Sequence, residues 1–310
     1  MKKIRVQGFT LVELLVAITL SLILLISISE IYLNTVVAQR TNDSRNELTH
    51  EARIALTLIT QDIGSIGFAG GAPFSSVDGN GLVLNNDCTG LASASNTTVG
   101  IMAGQSTANN ILDCVANAAI GNYTPNDGSP SDWLLFKGAI GPEIPRASLE
   151  NNIAYLISNP LEGTLFQGQN PPLLPNGRIR EYRFNLFYRT TNNDLTLLEI
   201  NGGRLTPRVL ATGVSQIRIR LGLSNTPSDS QINQWVTAPN NASAQSHQYW
   251  NRVRAIEIHL LSRGRQAPNF SDNKEYDVGG IIVRGNNSNE PGNLSTQTAF
   301  LYNQSYRQAL

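Results

Sequence analysis

"MKKIRVQGFTLVELLVAITLSLILLISISE", residues 1–30, opens with a basic, polar octet, turns apolar at Gly8-Phe9 and stays so as far as Ser29 except for one acid, Glu13. From Phe9 to Ser29 the run is 21 residues long, and Glu13 is its only charge. At about 1.5 Å of rise per residue this makes a helix of roughly 30 Å, the thickness of the hydrocarbon core of a bilayer. An ordinary secretory signal has a shorter apolar core, followed within a few residues by a small-x-small cleavage site. Here no Gly or Pro occurs between Phe9 and Ile63, and these residues most strongly interrupt helices, so the pattern predicts one helix of about 55 residues. In its second half Leu48, Ala52, Ala55, Leu56, Ile59 and Ile63 recur at spacings of three and four, while Arg45, Glu47, Glu51, Arg53 and Asp62 fill other faces. That half is expected to be amphipathic and packed against something. Gly64, Gly67, Gly70, Gly71 and Pro73 end it.

Lys2, Lys3 and Arg5 precede the span and few basic residues follow until Arg40, which puts the short N-terminus in the cytoplasm and the rest of the chain outside. An unpaired carboxylate in hydrocarbon costs several kcal/mol. Glu13 is therefore expected either to have a partner or to stay hydrated near the cytoplasmic interface, and both can hold at different stages.

The stretch "GFTLVELLVAI", residues 8–18, resembles the class III signal of type IV pilins and pseudopilins: a basic leader ending in Gly, then Phe, then an apolar helix with Glu at the fifth mature position. The following "ARIALTLITQDIGSIGFAGG", residues 52–71, is similar to a segment of PilW-type minor pilins. The resemblance implies that a membrane prepilin peptidase cuts after Gly8 and that Phe9 becomes an N-methylated N-terminus. It further implies that Glu13 neutralises the free amine of a neighbouring subunit's first residue. Implied partners are other minor pilins, the major pilin, the peptidase and the inner membrane. Many major pilins bend this helix with a proline late in the apolar stretch; this chain has none before Pro73. Thr19, Ser21, Ser27 and Ser29 are either small polar faces for helix packing or neutral residues of a long span. The expected division is a leader at 1–8, a membrane and assembly half of the helix at 9–37, an amphipathic half at 38–66 and a periplasmic head at 67–310.

At 310 residues and 41% hydrophobic the chain can bury a real core. Its charge is balanced, 23 basic against 23 acidic residues, so no nucleic-acid footprint is indicated. Beyond residue 73 short alternating runs take over: Asp132 to Ile140, Ile153 to Ser158, Gly163 to Gln167, Arg180 to Thr190, Val214 to Leu223 and Val253 to Arg263. Tyr182, Phe184, Leu186 and Tyr188 share one face, with Phe187 also read as packing, and Val214, Ile217, Ile219 and Leu221 share another apart from one slip of register. With no helices between them, these runs predict an antiparallel sheet. Its apolar face needs a cover, and residues 38–63 of the helix supply one. The fold class is thus α+β, a pilin-like ladle of helix handle and β head. The Asn, Ser and Gln-rich stretches at 223–249 and 285–298 read as surface insertions or disordered loops. PilW-like chains close with a final strand after an Arg-containing turn, where this one ends "SYRQAL".

Cys88 and Cys114 are the only cysteines; they pair in an oxidising compartment and otherwise stay as buried thiols. His50, His247 and His259 are scattered, and no Ser/His/Asp order, GxSxG, Walker loop or HExxH occurs, so neither a catalytic residue nor a cofactor is expected. Asp272, Asn273, Glu275 and Asp277 lie within one short stretch, either a calcium loop without EF-hand spacing or a plain solvated loop. The Asn-x-Ser/Thr triplets at Asn96, Asn122 and Asn293 read as chance. The expected function is that of a type IV pilus minor pilin, a structural and assembly subunit serving twitching motility and adhesion. The alternatives are a J-type pseudopilin of a type II secretion system and a signal-anchored periplasmic enzyme or binding domain.

Overall fold

The computed structural model describes residues 10–61, 63–106, 112–116, 131–266 and 270–301. The leader 1–8, Phe9, Asp62, Asn122 and the terminal "SYRQAL" lie outside them. Leu11–Gln61 form one unbroken helix, α1, as expected of a sequence without helix breakers. The elements that follow are β1 (Val77–Asp78), β2 (Ile101–Ser106), α2 (Asp113–Ala116), β3 (Ser131–Ile140), β4 (Ala154–Ser158), β5 (Gly163–Gln167), β6 (Arg178–Arg189), β7 (Leu195–Asn201), β8 (Arg204–Ala211), β9 (Val214–Leu223), β10 (Gln234–Thr237), α3 (His247–Trp250), β11 (Val253–Arg263), β12 (Glu275–Val278), β13 (Ile281–Arg284) and β14 (Gly292–Phe300). Only β1 and β5 pair in parallel; the other ladders are antiparallel.

The larger sheet runs β1-β5-β4-β6-β3-β2, with β7 on the far half of β6 and β8 beside it; the smaller runs β10-β9-β11-β14. A hairpin, β12 and β13, packs Tyr276, Val278 and Val283 against Leu261. The alternating pattern anticipates β3, β4, β5, β6, β9 and β11. The slip of register in β9 is a bulge opposite Leu261 and Ser262, where Ser215 Oγ donates to the Leu261 carbonyl at 3.0 Å; the extra residue moves Val214 onto the core face.

Three stretches differ from the sequence expectation. Residues 285–298 are loop only as far as residue 291: β14 occupies Gly292–Phe300 and pairs with β11 along its length. Within 223–249, Gln234–Thr237 add β10 to β9 and α3 begins at His247. In the stretch Ser271 to Asp277, Glu275 onward is strand β12. These segments are edge strands or short elements whose side chains stay half in water, so they carry polar residues where a central strand would carry apolar ones.

The second half of α1 covers the smaller sheet. Thr41, Leu48, Ala52, Ala55, Leu56 and Ile59 are its buried residues, and it packs on β14, β11 and β8. Opposite stand Ile217, Ile219 and Leu221 of β9 in register with Leu260, Ile258 and Ile256 of β11, all in one core with the helix. After a short 3₁₀ turn, Ile63–Ser65, the chain runs onto the larger sheet. The Gly67 amide donates to the Lys137 carbonyl at 2.7 Å and the Ala139 amide to the Phe68 carbonyl at 2.8 Å. The approach requires glycine at 138, where a Cβ would strike the Ser65 carbonyl oxygen. Helix and larger sheet are thereby joined by backbone hydrogen bonds.

The two sheets meet at Asp132 of β3, which is fully buried. Its Oδ1 accepts from Arg218 Nη1 at 2.9 Å and its Oδ2 from the Ile219 amide at 2.7 Å, on the edge of β9 that β10 leaves open. Burial pushes the Asp132 carboxyl up to about 7 against the pull of Arg218. Arg218→Met strands that carboxylate, and a lost partner in a buried pair costs about 3–5 kcal/mol. The chemical denaturation midpoint of the head should fall accordingly. Because burial holds the folded-state pKa above the unfolded one, the deficit should grow as pH rises through about 7; a midpoint equal to wild type across that range would remove the pair as the joint.

Candidate assembly interface

From Thr10 to Thr35 every described residue is exposed, and burial in the helix begins at Val36 and Thr41. The exposed residues include Leu14, Leu15, Val16, Ile18, Leu22, Ile23, Leu24 and Leu25, each more than half accessible except Val16 at 50%. A continuous apolar surface of this size on a soluble fold marks a membrane or an interface. Four of the hydroxyls along it are turned back onto the helix: Thr19, Ser21, Ser27 and Thr35 donate to the carbonyls of Val16, Ala17, Ile23 and Ile31 at 2.8 to 3.1 Å. A helix in hydrocarbon tolerates serine and threonine when the helix itself satisfies them.

Glu13 sits at the start of this surface. Its Oε2 accepts from the Thr10 amide and from Thr10 Oγ1, both at 2.9 Å, while the Glu13 amide donates to Thr10 Oγ1 at 3.3 Å. This reciprocal pair is a capping box, with Thr10 at the cap and the acid three residues later. The carboxylate also lies where the helix dipole favours negative charge. Reading Glu13 as a lone charge misses Thr10, although the spacing Thr10-x-x-Glu13 is in the sequence. Below the acid, Ala17 and Ser21 continue its face, flanked by Leu14, Ile18, Leu22 and Leu25, and leave a shallow groove open to the outside.

The other anticipated residues fall elsewhere. Cys88 and Cys114 form a disulfide with Cα atoms 4.5 Å apart, and both are buried. Asp113 stands beside the two sulfurs, but atoms bonded to each other are not metal ligands. The Asp272, Asn273, Glu275 and Asp277 group does not converge. Asp272 is buried and accepts from Tyr276 Oη at 3.0 Å and Arg263 Nη1 at 3.3 Å. Glu275 pairs with Arg284 at 2.9 Å, and Asp277 accepts from the Gly280 amide at 2.7 Å. Among the described residues no three His, Cys, Asp or Glu side chains come together there. His50 and His247 are exposed. His259 contacts Thr296 Oγ1 through Nδ1 at 3.1 Å and Glu257 through Nε2 at 3.2 Å. Among the buried charges that escape a reading by periodicity are Asp132 and Lys137, both in the otherwise apolar "DWLLFKGAI" of β3; an ionisable residue inside a continuous apolar strand is the signal that finds them.

Two family models match the chain, and they match its two ends. The prokaryotic N-terminal methylation motif covers residues 3–29, which contain Glu13 and most of the exposed apolar surface. The model of the type IV pilus-assembly protein W covers residues 184–308. The C-terminal part of the chain is similar to the PilW family. The PilW match begins inside β6 and takes in the small sheet on which α1 rests, so the matched parts are the apolar start of α1 and the sheet beneath its second half. This is a type IV pilus-related pilin, a class that points to a structural rather than a catalytic protein. No curated protein and no solved structure matches the chain.

The disulfide closes a sequence separation of 26 residues. In the chain-entropy model such a loop contributes about 3–4 kcal/mol. Replacing both cysteines by serine should lower the unfolding free energy of the head by that amount, read from chemical denaturation, and native protein should yield no thiol to an alkylating reagent without reductant. Two alkylatable thiols in native protein would contradict the pairing.

Proposed function

We propose that the protein is a minor pilin of the type IV pilus, made as a membrane-anchored precursor with its N-terminus cytoplasmic and its head periplasmic. Prepilin peptidase removes residues 1–8, cutting between Gly8 and Phe9, and Phe9 is then methylated. Residues 9–37 lie in the inner membrane and later in the assembled complex; residues 38–66 carry the head, 67–310. Together with other minor pilins and the major pilin the subunit primes pilus assembly, and through it serves twitching motility and adhesion.

The observation that carries this reading is the first half of α1: exposed from Thr10 to Thr35, apolar as far as Ser29, and with Glu13 the one carboxylate of that apolar run. Water cannot be the working environment of that surface, because at roughly 25 cal/mol per Å² its transfer out of water is strongly favourable. Lipid covers it before assembly and helices of neighbouring subunits afterwards. Glu13 waits in the capping box with Thr10, which keeps the acid hydrogen-bonded inside the membrane. The amine created by cleavage of a neighbouring subunit then supplies the opposite charge. Head and helix are rigidly joined, so docking the helix fixes where the head stands.

Two substitutions separate the local cap from the intersubunit charge. Glu13→Gln keeps a carbonyl oxygen to accept from Thr10 but has no charge; Glu13→Val has neither. Both should insert into the membrane and be cleaved. Both should lose at least about tenfold in co-purification with partner pilins from detergent extracts, equivalent to about 1.4 kcal/mol. If Glu13→Gln assembles as well as wild type, charge pairing with a neighbour's amine is wrong.

A further inference from the structure

Lys137 of β3 is fully buried, and its ammonium does not meet a carboxylate directly. Its Nζ donates to three backbone carbonyls, those of Leu91 at 2.8 Å, Ser93 at 2.9 Å and Asn96 at 2.6 Å. An ammonium has three protons, and here each has an acceptor. The segment wraps the charge as a coordinating loop wraps a metal ion, with the lysine as the cation. Asp87 closes the other side of the wrap. Its Oδ1 accepts from the Cys88 amide at 2.8 Å and the Ala94 amide at 2.9 Å, and its Oδ2 from Ser93 Oγ at 2.7 Å. Tyr182 Oη donates to the Ala94 carbonyl at 2.6 Å, and Thr97 Oγ1 to the Val77 carbonyl at 2.6 Å. Residues 87–97 contain no strand of the main sheets; these bonds are what shape them. The first residue so fixed after Asp87 is Cys88.

We propose that Lys137 is the internal cation around which residues 87–97 fold, and that this folding presents Cys88 for bond formation with Cys114. Order in the loop and closure of the disulfide are then one coupled equilibrium. Lys137 is a positioning residue in it: it touches neither sulfur. Closure itself requires a disulfide donor. The thiolate of one cysteine attacks a sulfur of the donor and expels one thiolate. The second cysteine's thiolate then attacks the mixed disulfide and expels the other. Two protein thiols are oxidised and one donor disulfide is reduced to two thiols.

The coupling is read with the full-length protein in detergent, equilibrated in mixtures of glutathione and glutathione disulfide, with free thiols trapped by alkylation and counted by mass. Lys137→Met and Asp87→Ala should each need at least a tenfold more oxidising mixture than wild type for half-closure. Ile258→Ala, a truncation in the core of the small sheet away from the loop, should shift the mixture by less than twofold. In Lys137→Ala, added propylammonium, which restores the missing part of the side chain, should return the half-closure point toward wild type, while sodium chloride of equal ionic strength should not. If Lys137→Met fails to fold, Asp87→Ala carries the same readout from the rim of the loop. A half-closure point unchanged in the variants that fold, or an equal shift in Ile258→Ala, overturns the coupling.

Discussion

The exposed apolar half of α1 finds no cover within its own described fold, and the other features of the chain are arranged around that constraint. A surface of this kind has to be enclosed by something outside the subunit, and enclosure by hydrocarbon makes each polar atom on it expensive. The backbone is satisfied because the helix is unbroken. The hydroxyls of Thr19, Ser21, Ser27 and Thr35 are satisfied by bonds to the preceding turn. The acid is satisfied by Thr10. A helix prepared this way can leave water for lipid, and lipid for other helices, without changing its own conformation.

What the helix carries is held to it by three successive devices. Ala52, Ala55, Leu56 and Ile59 are its core residues, small and branched side chains that allow close packing, and they seat it on β14, β11 and β8. The turn after Ser65 then adds backbone hydrogen bonds to β3, with glycine at 138 making room. Finally Asp132 and Arg218 tie β3 to β9, so the two sheets and the helix form a closed set of contacts. The part matched by the PilW model contains Arg218 of that tie but not Asp132. The disulfide and the loop built on Lys137 lie in the segment that neither family model reaches, and their chemistry is legible from this chain's own residues.

The sequence reveals α1 because its signal is long and redundant: no breaker for more than fifty residues of the helix itself, then a cluster of glycines. It reveals β3, β6, β9 and β11 because central strands bury their side chains. It does not reveal β14, where "GNLSTQTAF" offers only Leu294, Ala299 and Phe300 as apolar residues and the strand is recruited by pairing with β11 rather than by its own pattern. Pro207 interrupts the signal of β8. Lys137 and Asp132 are invisible to periodicity because their partners, a loop some forty residues earlier and an arginine in the other sheet, are set by tertiary structure alone. At the candidate interface the acid and the cleavage motif are plain in the sequence, and Thr10 would have been found by its capping spacing.

The most direct test is the mass of the N-terminal peptide of the protein isolated from cells that contain prepilin peptidase. A peptide beginning at Phe9 and heavier by one methyl group is the expected result. A peptide beginning at Met1, from cells in which the peptidase is active, would contradict the assignment of α1 as a pilin assembly helix.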